Sequence, residues 1–396
     1  MYVARKLATL KPSITLAISA RAAQLRRDGH DVIALAAGEP DFGPLPEIRE
    51  AASRAALEGP TRYGINPGHV ELREATAAYL KRVKGIEYDP AEIIYSNGGK
   101  QALYNAMVGL VDEGDEVLIL APYWVTYPAQ TELVGGRAVV VECRGENGFK
   151  VDFDELRSAI TPRTRVLIFN NPANPSGAYY EPDEVRELTR ICTEAGVAII
   201  SDEVYDTITY TEEPYLSPAA ASPEGRESTA LIGSLSKTFA IPGWRIGYLA
   251  GPQEWIKKVA GFQSQSSHHP SALSQAAALA ALQATTDRTA EMNAEFRARR
   301  DYLLDEMGRM PGLEVKMPPE GAFYLMFDIS GVLAAKPELE GSAGFCTWLL
   351  DEAKVALVPG ASFGAEGYAR LSYAASMEDL KQAVQRITQA LDSLDL

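Results

Sequence analysis

Cysteine is scarce in this chain: Cys143, Cys192 and Cys346 are the only three in 396 residues. No Cys-x-x-Cys pair occurs, which excludes a zinc knot or a disulfide framework as the organising device. Histidine is nearly as rare, with four in all and no His-Glu-x-x-His, so no metal site is expected although His268 and His269 are adjacent. Positive charge is in deficit. Thirty-eight Lys and Arg face 53 Asp and Glu, a net charge of −15 that argues against a nucleic-acid partner, which would need a basic face. An anionic substrate would have to be caught by a few placed cations rather than by the overall field. No apolar run is long enough to cross a bilayer, so no membrane partner is expected. The opening "MYVARKLATLKPS" lacks the continuous apolar core of a signal peptide, and a reducing cytoplasm is the expected location.

What is present is ordinary globular composition, 46% hydrophobic and 23% charged, in a chain long enough for one large domain and a smaller one. The runs "EVLILAP" (116–122), "AVVVEC" (138–143), "RVLIFNN" (165–171), "VAIISDEVY" (197–205) and "TALIGSLS" (229–236) are short and rich in Val, Ile and Leu. Buried strands of a parallel sheet read this way. Between them, "GGKQALYNAMVGLVDEG" (98–114) and "PDEVRELTRICTEAG" (182–196) have helical spacing and a closing glycine. This rhythm predicts an α/β fold, a mostly parallel sheet covered by helices. Long helices are expected from about Ser271 to Met310, hairpin-like strands over 312–330 and a final amphipathic helix over 377–394. A smaller α+β domain should therefore begin near residue 300.

Open α/β sheets bind ligands beyond the carboxyl ends of their strands. Those ends carry Tyr123 and Trp124, Asn171 and Asn174, Asp202 and Tyr205, and Ser234, Ser236 and Lys237. Lysines are mostly solvated surface charge, yet Lys237 follows a buried-looking strand and precedes "TFAIP". In such a pocket a lysine can lose its proton and attack a carbonyl, forming a Schiff base. Ser234, Ser236 and Arg245 would supply hydroxyls and a forked cation for a phosphate. "SNGGK" (96–100) would present backbone N–H groups at a helix N-terminus. A phosphate-bearing aldehyde on a lysine is pyridoxal phosphate.

The chain resembles the fold-type I, class I pyridoxal-phosphate aminotransferases, in particular the bacterial aspartate aminotransferase branch. The resemblance runs nearly end to end, through "KPSITLAISARAAQLRRDGHDVIALAAGEPDF" (11–42), "TRYGINPGHVELREA" (61–75), "SNGGKQALYNA" (96–106), "APYWVTYP" (121–128), "NNPANPSGAYY" (170–180), "SDEVY", "SLSKTFAIPGWRIGY", "PEGAFY" (319–324) and "ARLSYAAS" (369–376). It implies a large cofactor domain over 46–300 and a small domain from 1–45 and 301–396.

It further implies that Lys237 carries the cofactor and that Asp202 holds its pyridine nitrogen protonated. Asn174 and Tyr205 would bond the ring's phenolic oxygen, and Trp124 would stack on its face. The phosphate would meet Gly98, Gly99, Lys100, Ser234, Ser236 and Arg245. Tyr63 would reach the phosphate of a neighbouring subunit, implying a homodimer with shared active sites. Arg370 would grip the substrate α-carboxylate, with Gly38 offering a main-chain contact. The implied reaction passes an amino group from L-aspartate to 2-oxoglutarate by a ping-pong route, giving oxaloacetate and L-glutamate. No arginine lies in Val259–Asp287, where animal and enteric members place one for the distal carboxylate. Lys100, near Ser13 and Thr15, is expected to take that carboxylate instead.

Three other readings compete. Ser234-Leu-Ser-Lys237 fits the Ser-x-x-Lys of penicillin-binding enzymes, but their Ser-Asp-Asn and Lys-Thr-Gly are missing. A regulator using this fold would need an added DNA-binding domain, and none is expected. Within the cofactor's chemistry, an aromatic or prephenate aminotransferase or a β-lyase stays open, because "GFQSQSSHHPSA" departs from close relatives at His268 and His269.

Overall fold

Period-two alternation with apolar residues on both faces builds the centre of the molecule. The computed structural model describes residues 1–8 and 14–394. Seven strands form one sheet: β1 (Ile93–Ser96), β2 (Glu116–Ala121), β3 (Arg137–Glu142), β4 (Thr164–Asn170), β5 (Ala198–Asp202), β6 (Thr229–Ser234) and β7 (Gly247–Ala250). Their order is β1-β7-β6-β5-β4-β2-β3. Val117, Ile119, Val166, Ile168, Ile200 and Ile232 pack together with the helix Gly99–Leu110 on one face. Leu118, Leu167, Phe169 and Ile199 pack on the other with the helix Pro182–Glu194. Each fully buried side chain of this size contributes about 1.5–3 kcal/mol, so both faces need a helical cover.

Helix ends follow local chemistry. Pro182–Glu194 begins with proline at its first turn and a reciprocal Glu181/Glu184 capping box, and Gly196 beyond its end is left-handed at φ +70°. The expected strand over 197–205 stops at Asp202, and that over 229–236 stops at Ser234, where the short helix Leu235–Thr238 takes over. These early stops turn Tyr205 and Lys237 away from the sheet and over its edge.

Two parts of the sequence reading need correction. The sheet gains β1 and β7, and β7 runs antiparallel to both its neighbours; each is only four residues long, too short to carry a pattern that can be seen. The hairpin expected over 312–330 reduces to one strand, Tyr324–Asp328, and a single bridge from Glu314 to Asp328. Pro318 and Pro319 interrupt it, since proline has no N–H to give a ladder. Tyr324–Asp328 pairs instead with Tyr368–Ser372, which pairs with Val358–Pro359. Ile33–Ala34 lies parallel to Val355–Ala356, joining the two ends of the chain. The helix Thr289–Met307 passes residue 300 without a break, and the last helix covers Met377–Asp392.

Candidate active site

The carboxyl ends of β4, β5 and β6 open into a cavity of about 360 Å³. It is lined by Asp202, Tyr205, Ser234, Ser236, Lys237, Arg245 and Arg370, and also by Gly38, Gly99, Lys100, Trp124 and Asn174. Residues more than 300 positions apart thus share one chamber.

Asp202 ends β5 fully inside the protein. Its Oδ2 accepts a hydrogen bond from the Tyr127 hydroxyl at 2.7 Å, while the buried Oδ1 receives none from the protein. Burial pushes the carboxyl up to about 6, against the pull of the Tyr127 hydroxyl and the Val204 amide. A buried acceptor without a donor is costly unless a ligand supplies one. Lys237 Nζ donates to the Gly38 carbonyl at 2.5 Å. Burial lowers its amine to about 8, with Glu39 opposing and Arg245 assisting. Near neutral pH roughly a tenth of it is then neutral, far more than for an ordinary lysine, and able to act as nucleophile and proton acceptor.

The anion end is built from backbone and hydroxyls. Gly98 sits at φ +84° before the helix Gly99–Leu110, and a Cβ there would stand 2.7 Å from Arg245 Nη2. Glycine thus lets the guanidinium close over a helix N-terminus, whose N–H groups favour an anion. Gly98 lies behind this wall rather than on the cavity surface. The Ser234 and Ser236 hydroxyls are 2.9 Å apart. Arg245 is itself left-handed at φ +52°, anchored by its own bond to the Pro242 carbonyl at 2.8 Å.

The far wall belongs to the C-terminal strands. Arg370 is 4% exposed and donates to Asn174 Oδ1 at 2.9 Å and to the Ala36 carbonyl at 2.8 Å. Its Nε is buried with no acceptor. The guanidinium stands 4.4 Å from the centre of the Tyr324 ring, and the Tyr324 hydroxyl bonds Tyr205 at 2.7 Å. A side chain on Gly38 would strike that hydroxyl at 2.6 Å, so glycine keeps the opening clear. At another part of the wall, Lys100 Nζ lies 4.8 Å over the Trp124 ring. Partial burial and Arg245 both lower the Lys100 amine.

Several expected residues fall elsewhere. Asn171 faces away and bonds the backbone of Tyr180, whereas Asn170, one residue earlier, lines the cavity. Tyr123 packs outside the cavity near Gly364. Tyr63 is 93% exposed and does not line it. Ser13 and the side chain of Thr15 lie outside the described residues. Tyr127 and Tyr324 were not singled out by sequence. Tyr127 lies three positions after Trp124, a helical spacing that could have flagged it.

A phosphate-bearing pyridine aldehyde fits these groups: an amine of lowered basicity, a buried carboxylate oxygen lacking a donor, and a helix N-terminus flanked by hydroxyls and Arg245. Residues 30–387 match the family described as aminotransferase class I and II. The chain belongs to that family. It is a pyridoxal-phosphate-dependent transaminase of α/β, fold-type I architecture. The aspartate aminotransferase of Geobacillus stearothermophilus is 42% identical, over 99% of this chain and 100% of its own. The aspartate/prephenate aminotransferase of Thermus thermophilus is 42% identical over 98% of each. Among solved structures, the Rhizobium meliloti aspartate aminotransferase superposes with a TM-score of 0.94 at 38% identity, covering 100% of both chains. The Thermus thermophilus enzyme with maleate gives 0.93 at 40% identity, covering 99% of this chain and 100% of that one. Among the described residues, no helix is long and apolar enough to cross a membrane.

Proposed function

We propose that the protein transfers the amino group of L-aspartate to 2-oxoglutarate, giving oxaloacetate and L-glutamate in two half-reactions. The observation that carries this reading is that, besides Arg245 at the anion end and the Lys237 amine, the cavity holds two further cations, buried Arg370 and partly exposed Lys100. Arg370 would take the α-carboxylate through its unpartnered Nε, and Lys100 the distal one. The relative bound to maleate, a four-carbon dicarboxylate, supports a diacid ligand here.

Bound in the cavity, pyridoxal phosphate supplies an electron-withdrawing ring that accommodates the electron pair left at the substrate Cα. Asp202 would hold a proton on the pyridine nitrogen through Oδ1, with Tyr127 fixing its other oxygen. Gly98, Gly99, Ser234, Ser236 and Arg245 would hold the phosphate. Asn174 and Tyr205 would orient the ring, and Trp124 would cover its face. Lys237, with its amine lowered to about 8, would remove the Cα proton and later return one. Gly38 would close over the substrate from the N-terminal segment, with 1–45 and 301–396 acting as a small domain against 46–300. The pairing of Ile33–Ala34 with Val355–Ala356 supports that grouping. Three cysteines, all free and buried, are compatible with a reducing cytoplasm.

A side-by-side assay of amino donors with 2-oxoglutarate tests the substrate. Lys100→Ala should lower kcat/KM for aspartate by about 1.5–3 kcal/mol, the range for a hydrogen bond to a charged group, and affect alanine or phenylalanine much less. Equal losses for all donors would contradict the role of Lys100. Prephenate, also a dicarboxylate, is the second acceptor to assay, since the Thermus thermophilus relative is named for both substrates.

We also infer a homodimer in which exposed Tyr63 serves the neighbouring subunit's phosphate. Tyr63→Ala and Lys237→Ala, each inactive or nearly so alone, should then recover partial activity as mixed heterodimers, because one site carries neither lesion. No recovery in verified heterodimers would mean each site is built from one chain.

A further inference from the structure

Three of the chain's four histidines gather where the Tyr63 segment meets the turn between the helices Gln253–Ser266 and Ala272–Gln283. His269 Nε2 accepts a hydrogen bond from the Gly64 backbone N–H at 2.8 Å. Its Nδ1 lies 2.7 Å from the Pro270 carbonyl oxygen. A carbonyl cannot donate and a backbone N–H cannot accept. The two partners therefore assign the ring proton to Nδ1 and a lone pair to Nε2, which is one tautomer of neutral imidazole. A second ring proton would set N–H against N–H and break the bond to Gly64.

The latch has a second point of attachment. The Pro270 carbonyl also accepts from Gln275 Nε2 at 2.8 Å, and Gln275 Oε1 accepts from the His69 backbone N–H at 2.9 Å. Both ends of the 64–69 segment thus hang on residues 269–275. The titratable groups facing His269 are His268, with ring centres 4.9 Å apart, Tyr63 at 6.5 Å, and His69. The His69 and His269 rings flank the same side of Gly64, where a Cβ would stand 3.6 and 3.7 Å from them. His268 is held left-handed at φ +58°, its Nδ1 buried without a partner.

We propose that His269 is a positioning residue: its neutral ring holds Gly64, and with it Tyr63, and protonation of the ring releases the segment. The consequence for the cofactor rests on the reading that Tyr63 serves a neighbouring subunit. The latch itself does not.

Hydrogen exchange on the holoenzyme at pH 8 and pH 5.5, a range in which imidazoles gain protons, tests it on peptides containing Gly64, with intrinsic rates corrected. Wild type should lose roughly three- to tenfold protection at the lower pH, equivalent to one net hydrogen bond. His269→Gln, which keeps an acceptor but cannot titrate, should stay protected at both values, and His269→Ala should be unprotected at both. Equal protection of wild type at the two pH values, or an equal fall in His269→Gln, would overturn the proposal. Should the alanine variant misfold, wild type and the glutamine variant decide alone. Cofactor retention is measured in parallel and should weaken at pH 5.5 more in wild type than in His269→Gln. If Gly64 loosens in wild type alone while retention is the same in both, the latch stands and the reach of Tyr63 to a partner is refuted.

Discussion

Lys237→Ala is expected to lose turnover by at least roughly 10⁴-fold, the upper end of what one positioned acid–base group contributes. Alanine can neither take the Cα proton nor return it. The phosphate contacts proposed for Ser234, Ser236 and Arg245 would be untouched, so the variant should still retain cofactor without a covalent bond. Lys237→Arg separates charge from chemistry. A guanidinium keeps the positive charge but does not give up its proton in proteins, so this variant should be as inactive as alanine. Residual activity of the arginine variant near the wild-type level would show that Lys237 serves only as a charge.

Asp202→Asn should retain cofactor yet lose about 10²–10⁴-fold in rate, corresponding to about 3–5 kcal/mol for breaking a buried charge pair. A neutral amide can keep the Tyr127 bond but cannot hold a proton on the pyridine nitrogen. The same change has the opposite effect on the protein without cofactor. The carboxyl rises from an ordinary 3.8 to about 6 on burial. Between those values the folded chain binds more protons than the unfolded one, so folding stability falls as pH rises through that window. Cofactor-free Asp202→Asn should thus be more stable than wild type by on the order of 1–3 kcal/mol at pH 8, with no advantage below about pH 4. Denaturant unfolding at the two pH values measures this. A variant that is slow and also less stable at pH 8 would make Asp202 a structural strand end.

The legible part of this molecule was local. Asp202, Lys237 and Ser234 sit where apolar runs end, and a parallel sheet delivers such residues to its carboxyl edge whatever the rest of the chain does. Arg370 and Gly38 came only from the family resemblance, because nothing in their neighbourhood marks a partner. The Tyr205–Tyr324 hydrogen bond joins residues 119 positions apart, and no short pattern encodes it. Asn170 and Asn171 show the cost of a one-residue error: Asn170 is the last residue of its strand and Asn171 the first beyond it, and the two amides go to different surroundings. The Lys84 ion pairs with Glu203 and Asp206, at 2.5 Å each and sealed from solvent, were equally invisible. In sequence Lys84 is one more charge near the end of an amphipathic helix, and only tertiary packing brings it beneath the segment bearing Asp202 and Tyr205.

Borohydride reduction of the yellow holoenzyme followed by peptide mapping tests the central claim most directly. Reduction should fix the cofactor to a single peptide, the one containing Lys237, with loss of activity in proportion to label. Label on any other lysine, Lys100 included, would contradict the assignment of this cavity as the catalytic site.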